Sequence, residues 1–157
     1  MACVSAAARR PALLRFVHSE SRGLAVQLDF AFICDYADST AKVVAFGIGF
    51  DQIQAPSLPA RHHRLCGVAR FRAHKTEVGQ KQARVVIMDA DGAETAAIQG
   101  IVDLADPVDR LETTATLVVN FDNVTFNHYG PHSAHVLIDG NEMHRMPFEV
   151  SAPPAKG

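Results

Sequence analysis

The chain has 157 residues, 48% of them hydrophobic and 20% charged, which suits a single domain with its own core. Its formal net charge of −2 argues against nucleic acid as a partner. Three cysteines without a Cys-x-x-Cys spacing argue against a disulfide framework or a zinc ribbon, and no apolar run is long enough for a membrane-spanning helix. We therefore expect a soluble, cytoplasmic protein that has no cofactor and no membrane partner.

Residues 1–25 differ from the rest of the chain, because they contain four arginines, a single acid and no strand-like alternation. An organellar transit peptide or a secretory signal would explain this composition, but Arg15 interrupts the only apolar stretch that could serve as a secretory core. A start of translation further along, at a valine such as Val17 or Val26, is the reading that we favour. The segment is interpreted as a disordered or mis-assigned extension.

The first predicted strand covers residues 26–36, whose alternation places six apolar residues on one face: Val26, Leu28, Phe30, Phe32, Cys34 and Tyr36. Turn-forming residues follow, and residues 42–50 alternate again, so the two segments are predicted to form a hairpin. Residues 52–63 contain two prolines and are predicted to form an irregular crossing between sheets or an edge.

Further strands are predicted along the second half of the chain, and the last two flank an Asp-Gly turn, which is typical of a hairpin. Residues 93–104 fit a strand or a short helix, and strand is favoured because no helix cap is present. These strands cover residues 64–74, 82–88, 93–104, 111–121, 132–138 and 143–150. The pattern predicts an all-β domain over residues 26–151, an antiparallel, immunoglobulin-like two-sheet sandwich of seven to eight strands, followed by a flexible tail over residues 152–157.

Three segments carry a resemblance to a known family: DFAFICDYA, GIGFDQIQAPSLPA and HVLIDGNEMHRMPFEV. Together they resemble a family of small uncharacterised bacterial proteins, from about Leu28 to the C-terminal prolines. The resemblance implies a β-sandwich-like fold and a domain that begins after residue 25. It implies no activity and no site residues.

Histidine is the first candidate for a site, since His132 and His144 lie on the same predicted hairpin and imidazole is a common metal ligand. His135 is separated from His132 by an odd number of residues and therefore points to the other face. Because no established metal-binding spacing occurs, hydrogen-bonded or solvent-exposed histidines are the favoured interpretation.

Arginine is the second candidate, since Arg64, Arg70 and Arg72 share one face of a strand, and Arg84 is expected on the neighbouring strand. Such a stripe could bind an anionic ligand. The alternative, which we favour, is an ordinary solvated outer face of a sheet.

The proline-containing segment is the third candidate, with Ile53, Pro56, Leu58 and Pro59 as a preorganised partner-binding surface. Alternatively, Ile53 and Leu58 close the open end of the sandwich while the prolines stiffen the crossing.

No nucleophile, phosphate-binding or dinucleotide motif occurs, so an enzyme is less favoured. The leading hypothesis is a non-catalytic interaction or structural module with a protein partner or a second copy of itself. The second is a small-ligand or metal binder that uses the histidine hairpin or the arginine stripe. The third is a hydrolase-like enzyme with a dispersed site.

Overall fold

The computed structural model describes residues 26–155, and these residues form an all-β structure with one single-turn 3-10 helix at Lys75–Glu77. The strand predicted over residues 93–104 is confirmed as a strand rather than a helix. The strands are β1 (Val26–Cys34), β2 (Tyr36–Asp38), β3 (Val44–Phe46), β4 (Gln52–Gln54), β5 (Ala60–His74), β6 (Gly79–Asp89), β7 (Glu94–Leu104), β8 (Glu112–Phe126), β9 (Gly130–Ile138) and β10 (Asn141–Ser151).

The strands form a three-stranded sheet in the order β1-β5-β8, a five-stranded sheet in the order β4-β10-β9-β6-β7, and a separate β2–β3 hairpin. All pairs are antiparallel except β4 with β10, which is parallel. The all-β prediction is confirmed, with ten short and long strands where seven to eight were expected. The immunoglobulin-like type stays a prediction.

The main core lies between the two larger sheets, since both contribute side chains to one buried cluster. Leu65 and Phe71 enter it from β5, and Ile87 and Val136 enter it from β6 and β9. Each of these side chains is fully buried, and burying one stabilises the fold by about 1.5 to 3 kcal/mol relative to exposure. The two larger sheets are therefore held together mainly by apolar contacts.

Strand β1 departs from the single apolar face that the sequence predicts, because its register with β5 shifts between Leu28 and Phe30. A bulge adds one residue to a strand, so every later side chain changes face. Val26 and Leu28 pack on the main core, as do Ala31 and Ile33 after the bulge. The prediction is therefore wrong for the second half of the strand, where three residues point to the opposite, outward face: Phe30, Phe32 and Cys34.

The predicted hairpin between residues 26–36 and 42–50 forms only between residues 36–38 and 44–46. Tyr36 pairs with Phe46 and Asp38 with Val44, whereas β1 itself pairs with β5. The short hairpin lies over the outward face of the three-stranded sheet, where its inner side covers a second buried cluster. That cluster is built on Cys34, Cys66, Val68 and Ala37.

Candidate functional site

Arg72, in the predicted arginine stripe, is held between two carboxylates. Its Nε and Nη2 donate to the two carboxylate oxygens of Asp29, both at 2.9 Å, and its Nη1 donates to Glu112 at 2.9 Å. The hydrogen bond from Arg72 lowers the pKa of Asp29, against the smaller opposing effect of burial. The positive charge of Arg72 is therefore matched within the sheet.

Arg64 and Arg70 also face acceptors of the same sheet. Arg64 Nε donates to Asp122 at 2.9 Å. Arg70 donates to Thr114 Oγ1 at 3.3 Å, and its Nε lies 3.5 Å from the Asp29 carboxylate. The stripe thus lies on one outward face, as the alternation predicts, but its cations are paired with side chains on β1 and β8.

Arg84 does not belong to this stripe, and the prediction that it lies on the neighbouring strand is wrong. It is on β6 in the five-stranded sheet, whereas β5 pairs with β1 and β8. Strands β5 and β6 follow each other in sequence but enter different sheets, which the local pattern could not show. Arg84 forms an ion pair with Glu94 on β7.

The proline-containing segment contributes to the core. Ile53 is buried in the main cluster, and Leu58 is partly buried and packs against it. Tyr129 holds this segment in place by donating its hydroxyl to the Ala55 carbonyl at 3.0 Å. Pro56 and Pro59 are exposed beside a shallow groove of about 250 Å³. These contacts show that Ile53 and Leu58 pack on the main core, and the partner-binding role of the segment stays a prediction.

The two candidate metal-binding histidines lie apart. His132 is buried, with its ring 5.7 Å from that of Phe148 and its Nδ1 3.0 Å from the Gly130 carbonyl. His144 is exposed and pairs with Val136, four residues along β9, which corresponds to about 13 Å. Within residues 26–155, no group of three or more His, Cys, Asp or Glu side chains is placed to hold a metal ion.

Cys34 and Cys66 lie directly opposite each other on β1 and β5, and both are fully buried beneath the hairpin. Burial raises the pKa of Cys34 to about 11, with the neighbouring Cys66 adding to the effect. Burial also raises the pKa of Cys66. Since the thiolate is the nucleophilic form, these thiols are packing groups rather than reactive ones.

The outer side of the β2–β3 hairpin is an exposed apolar surface that was not singled out from the sequence. We call it the hairpin surface and define it by Tyr36, Val44, Phe46 and Ile48, which are 42%, 50%, 63% and 56% exposed. The rings of Tyr36 and Phe46 pack together with their centroids 6.2 Å apart. The segment from Val43 to Phe46 is apolar on both faces of the strand. That pattern could have indicated a strand with one face packed on the protein and an exposed apolar face on the other side.

A second unpredicted feature is a polar chain on the outward face of the five-stranded sheet. His135 Nε2 lies 2.8 Å from Ser133 Oγ, and His135 Nδ1 lies 2.7 Å from Glu142 Oε2. Ser133 and His135 are two residues apart on β9 and therefore share a face, while the Asp-Gly turn brings Glu142 alongside on β10. The spacing of Ser133 and His135 places both side chains on one face of a strand and was the available sequence signal.

Comparison with solved structures gives distant likenesses. One is to a Pseudomonas fluorescens alkylpurine DNA glycosylase AlkC bound to DNA containing an abasic site analog, at 13% identity and a TM-score of 0.44. Another is to a β-glucosidase from Listeria innocua in complex with isofagomine, at 10% identity and a TM-score of 0.45. They cover 82% and 81% of this chain, which spans only 31% and 16% of those proteins.

Among curated proteins, none matches significantly. Within the described part of the chain, no helix has the length and apolar character needed to cross a membrane. A family model matches residues 29–151, which agrees with the resemblance that begins near Leu28. The chain therefore belongs to DUF6941, a family of unknown function.

Proposed function

We propose that this protein is a self-associating interaction module whose contact is the hairpin surface. The observation that carries the proposal is a set of four large apolar side chains that are exposed together, three on the hairpin and Ile48 in the turn that follows it. Contiguous exposed apolar groups on a folded protein mark contact sites, whereas scattered ones need no explanation.

The hairpin surface is held in place by what lies beneath it. Ala37 on its inner side is buried in the second cluster, and Val43 and Ala45 pack against the same cluster. Two backbone hydrogen bonds hold the base of the hairpin. Asp35 N–H donates to the Phe46 carbonyl at 3.1 Å, and Gly49 N–H donates to the Ile33 carbonyl at 3.3 Å. A surface that is already ordered loses little conformational entropy on binding, so its apolar burial converts more fully into affinity.

A second copy of the chain fits this surface by symmetry and charge. In a two-fold contact the same patch serves both subunits, and the Tyr36 and Phe46 rings of one copy would pack on those of the other. Lys42 lies at the turn of the hairpin and Asp51 beyond its base, and both are exposed with no ion-pair partner among residues 26–155. Antiparallel hairpins would place Lys42 of one copy near Asp51 of the other, which favours this partner.

The test is sedimentation velocity over a concentration series from micromolar to about millimolar. The wild-type protein should shift from monomer to dimer, and Phe46→Ser should weaken the association at least tenfold. Leu111→Ser is the matched control, since Leu111 is also 63% exposed but lies in the loop before β8. A monomer at all concentrations, or an equal loss in the control, would refute the proposal.

The ligand-binding alternative has less support, because the arginines of the stripe already face carboxylates. An open groove of about 980 Å³ adjoins Arg70 and Arg72 and the segment 107–114, and two of the three arginines that line it, Arg70 and Arg72, already face carboxylates. A reducing, cytoplasmic setting remains part of the proposal, supported by the free state of Cys34 and Cys66 although they are cross-strand neighbours.

A further inference from the structure

A site for acyl transfer goes beyond the self-association proposed above. We infer that Ser133 is a nucleophile, activated by His135 and oriented by Glu142, that accepts the acyl group of small esters. The order of the three groups is nucleophile, base and carboxylate, with hydrogen-bond distances of 2.8 and 2.7 Å between successive pairs. This geometric order, and not sequence spacing, identifies such a site.

The carboxylate fixes the tautomer of the imidazole. An ionised Glu142 carboxylate has no proton to donate and can only accept a hydrogen bond. Nδ1 of His135 therefore carries a proton, and this N–H donates the hydrogen bond to Glu142. Nε2 is then the acceptor for the hydroxyl proton of Ser133. The proton of Ser133 therefore already points at the base that would remove it.

Burial strengthens this arrangement and limits the substrate. Ser133 is 2% exposed and His135 is 8% exposed, so their hydrogen bonds lie in a poorly solvated environment where they are electrostatically stronger. Across the sheet, Ser133 pairs with Met88 on one side and Pro147 on the other. Because Ser133 is almost fully buried between these neighbours, little space is left beside its hydroxyl, and only a small acyl group would fit there.

Arg145 supplies a positive charge beside the site. It lies directly opposite His135 on β10, is exposed, and has no ion-pair partner within residues 26–155. Its guanidinium can stabilise the oxyanion that forms when an ester carbonyl is attacked. Arg84, on the other flank of the sheet, is already paired with Glu94 and is less suited to this role.

The reaction balances with water as the only co-reactant. Ser133 Oγ forms a bond to the ester carbonyl carbon while its proton moves to His135 Nε2. The bond from carbon to the leaving oxygen then breaks, and the leaving group takes that proton as an alcohol. Water repeats the sequence on the acyl-serine, releasing the acid and restoring Ser133.

The experiment treats the full-length protein with a small alkyl fluorophosphonate and measures the adduct by intact mass and peptide mapping. A single adduct on Ser133 is expected, at least tenfold slower in His135→Asn and Glu142→Gln, and absent in Ser133→Ala. Ser151→Ala is the control and should label at the wild-type rate, since Ser151 Oγ bonds Gln52 elsewhere.

Hydrolysis of p-nitrophenyl acetate gives an independent readout, and the rate should fall with the same variants. An unlabelled wild-type protein would overturn the inference without relying on any variant. Labelling on another residue, or labelling of Ser133 that persists at full rate in a folded His135→Asn protein, would overturn it equally.

Discussion

The two ends of the outward face of the three-stranded sheet differ in how far their side chains are paired or packed within the chain. At the arginine end, Arg72 is held by Asp29 and Glu112, so its hydrogen-bonding groups have nearby acceptors. At the hairpin end, one side of the hairpin is packed on the second cluster and the other leaves Phe46 and Ile48 in solvent.

This difference is the reason why we favour the hairpin surface over the arginine stripe as the contact site. A stripe of arginines suggests an anion-binding surface only while its counter-charges are unknown, and here they come from strands distant in sequence. Exposed apolar groups, in contrast, gain free energy only when another apolar surface removes them from water. We therefore propose the hairpin end, rather than the arginine end, as the contact surface.

The sharpest contrast between the two ends is between neighbouring positions on the same face of β5. Val68 is buried beneath the hairpin, so Val68→Asp places an unpaired carboxylate there and should reduce the free energy of unfolding by about 3 kcal/mol or more. Arg70→Ala, two residues further, should cost about 0.5 kcal/mol or less, because its ion pair is partly exposed. Urea unfolding of both variants would measure the contrast, and similar costs would contradict it.

A smaller effect is expected at the glycines that follow the hairpin. Gly47 has φ of +67°, and a Cβ added there would overlap the Asp35 carboxylate. Gly47→Ala should therefore destabilise the protein by about 1 to 2 kcal/mol, from backbone strain together with displacement of the exposed Asp35 side chain.

Gly49 is the matched control, with φ of +77° but nothing within 4 Å of the added Cβ. Gly49→Ala should lower the free energy of unfolding by about 1 kcal/mol, from backbone strain alone. Equal losses in thermal unfolding would show that the Asp35 contact does not position the hairpin.

Smaller still is the expected effect of removing the apolar groups of the hairpin surface. The double variant Phe46→Ser with Ile48→Ser should change monomer stability by about 0.5 kcal/mol or less, because both side chains are exposed. Its self-association should nevertheless be lost. A large fall in stability of the monomer, measured at low concentration, would mean that these residues are structural.

The smallest effect is expected at Asp29, and it depends on pH. Arg72 lowers the pKa of Asp29, so the ionised form is favoured in the folded protein. The resulting stability is present above the ordinary carboxyl pKa of about 3.9 and is lost as the pH falls through the lowered value. Asp29→Asn should lower Tm by about 2 °C or less at pH 7, and the difference should vanish in acid. A difference that grows in acid would contradict this sign.

The sequence predicted the all-β class and most strands, because alternation reports which side of a strand is buried. The prediction failed at β1, where a bulge at Asp29 exchanges the inward and outward faces of the strand. The hydrophobic alternation of the sequence continues through the bulge and does not reveal it. The prediction also failed to place Arg84, because sheet membership depends on pairing between distant strands.

The candidate sites could be predicted only in part for the same reason. Matched charges such as Arg64 with Asp122 join residues 58 positions apart, so the sequence showed the cation without its partner. Ser133 and His135 were visible as a pair on one face, but Glu142 joins them through the bulged register of the last hairpin.

A dilution series of two-dimensional amide NMR spectra tests the central claim most directly, since it locates any contact between copies by residue. As the concentration rises, the amide shifts of residues 36–48 should move together along one saturable curve, while those around Arg72 and Leu111 stay fixed. Phe46→Ser should abolish the movement. Concentration-independent spectra, or shifts centred on the arginine end, would contradict the account.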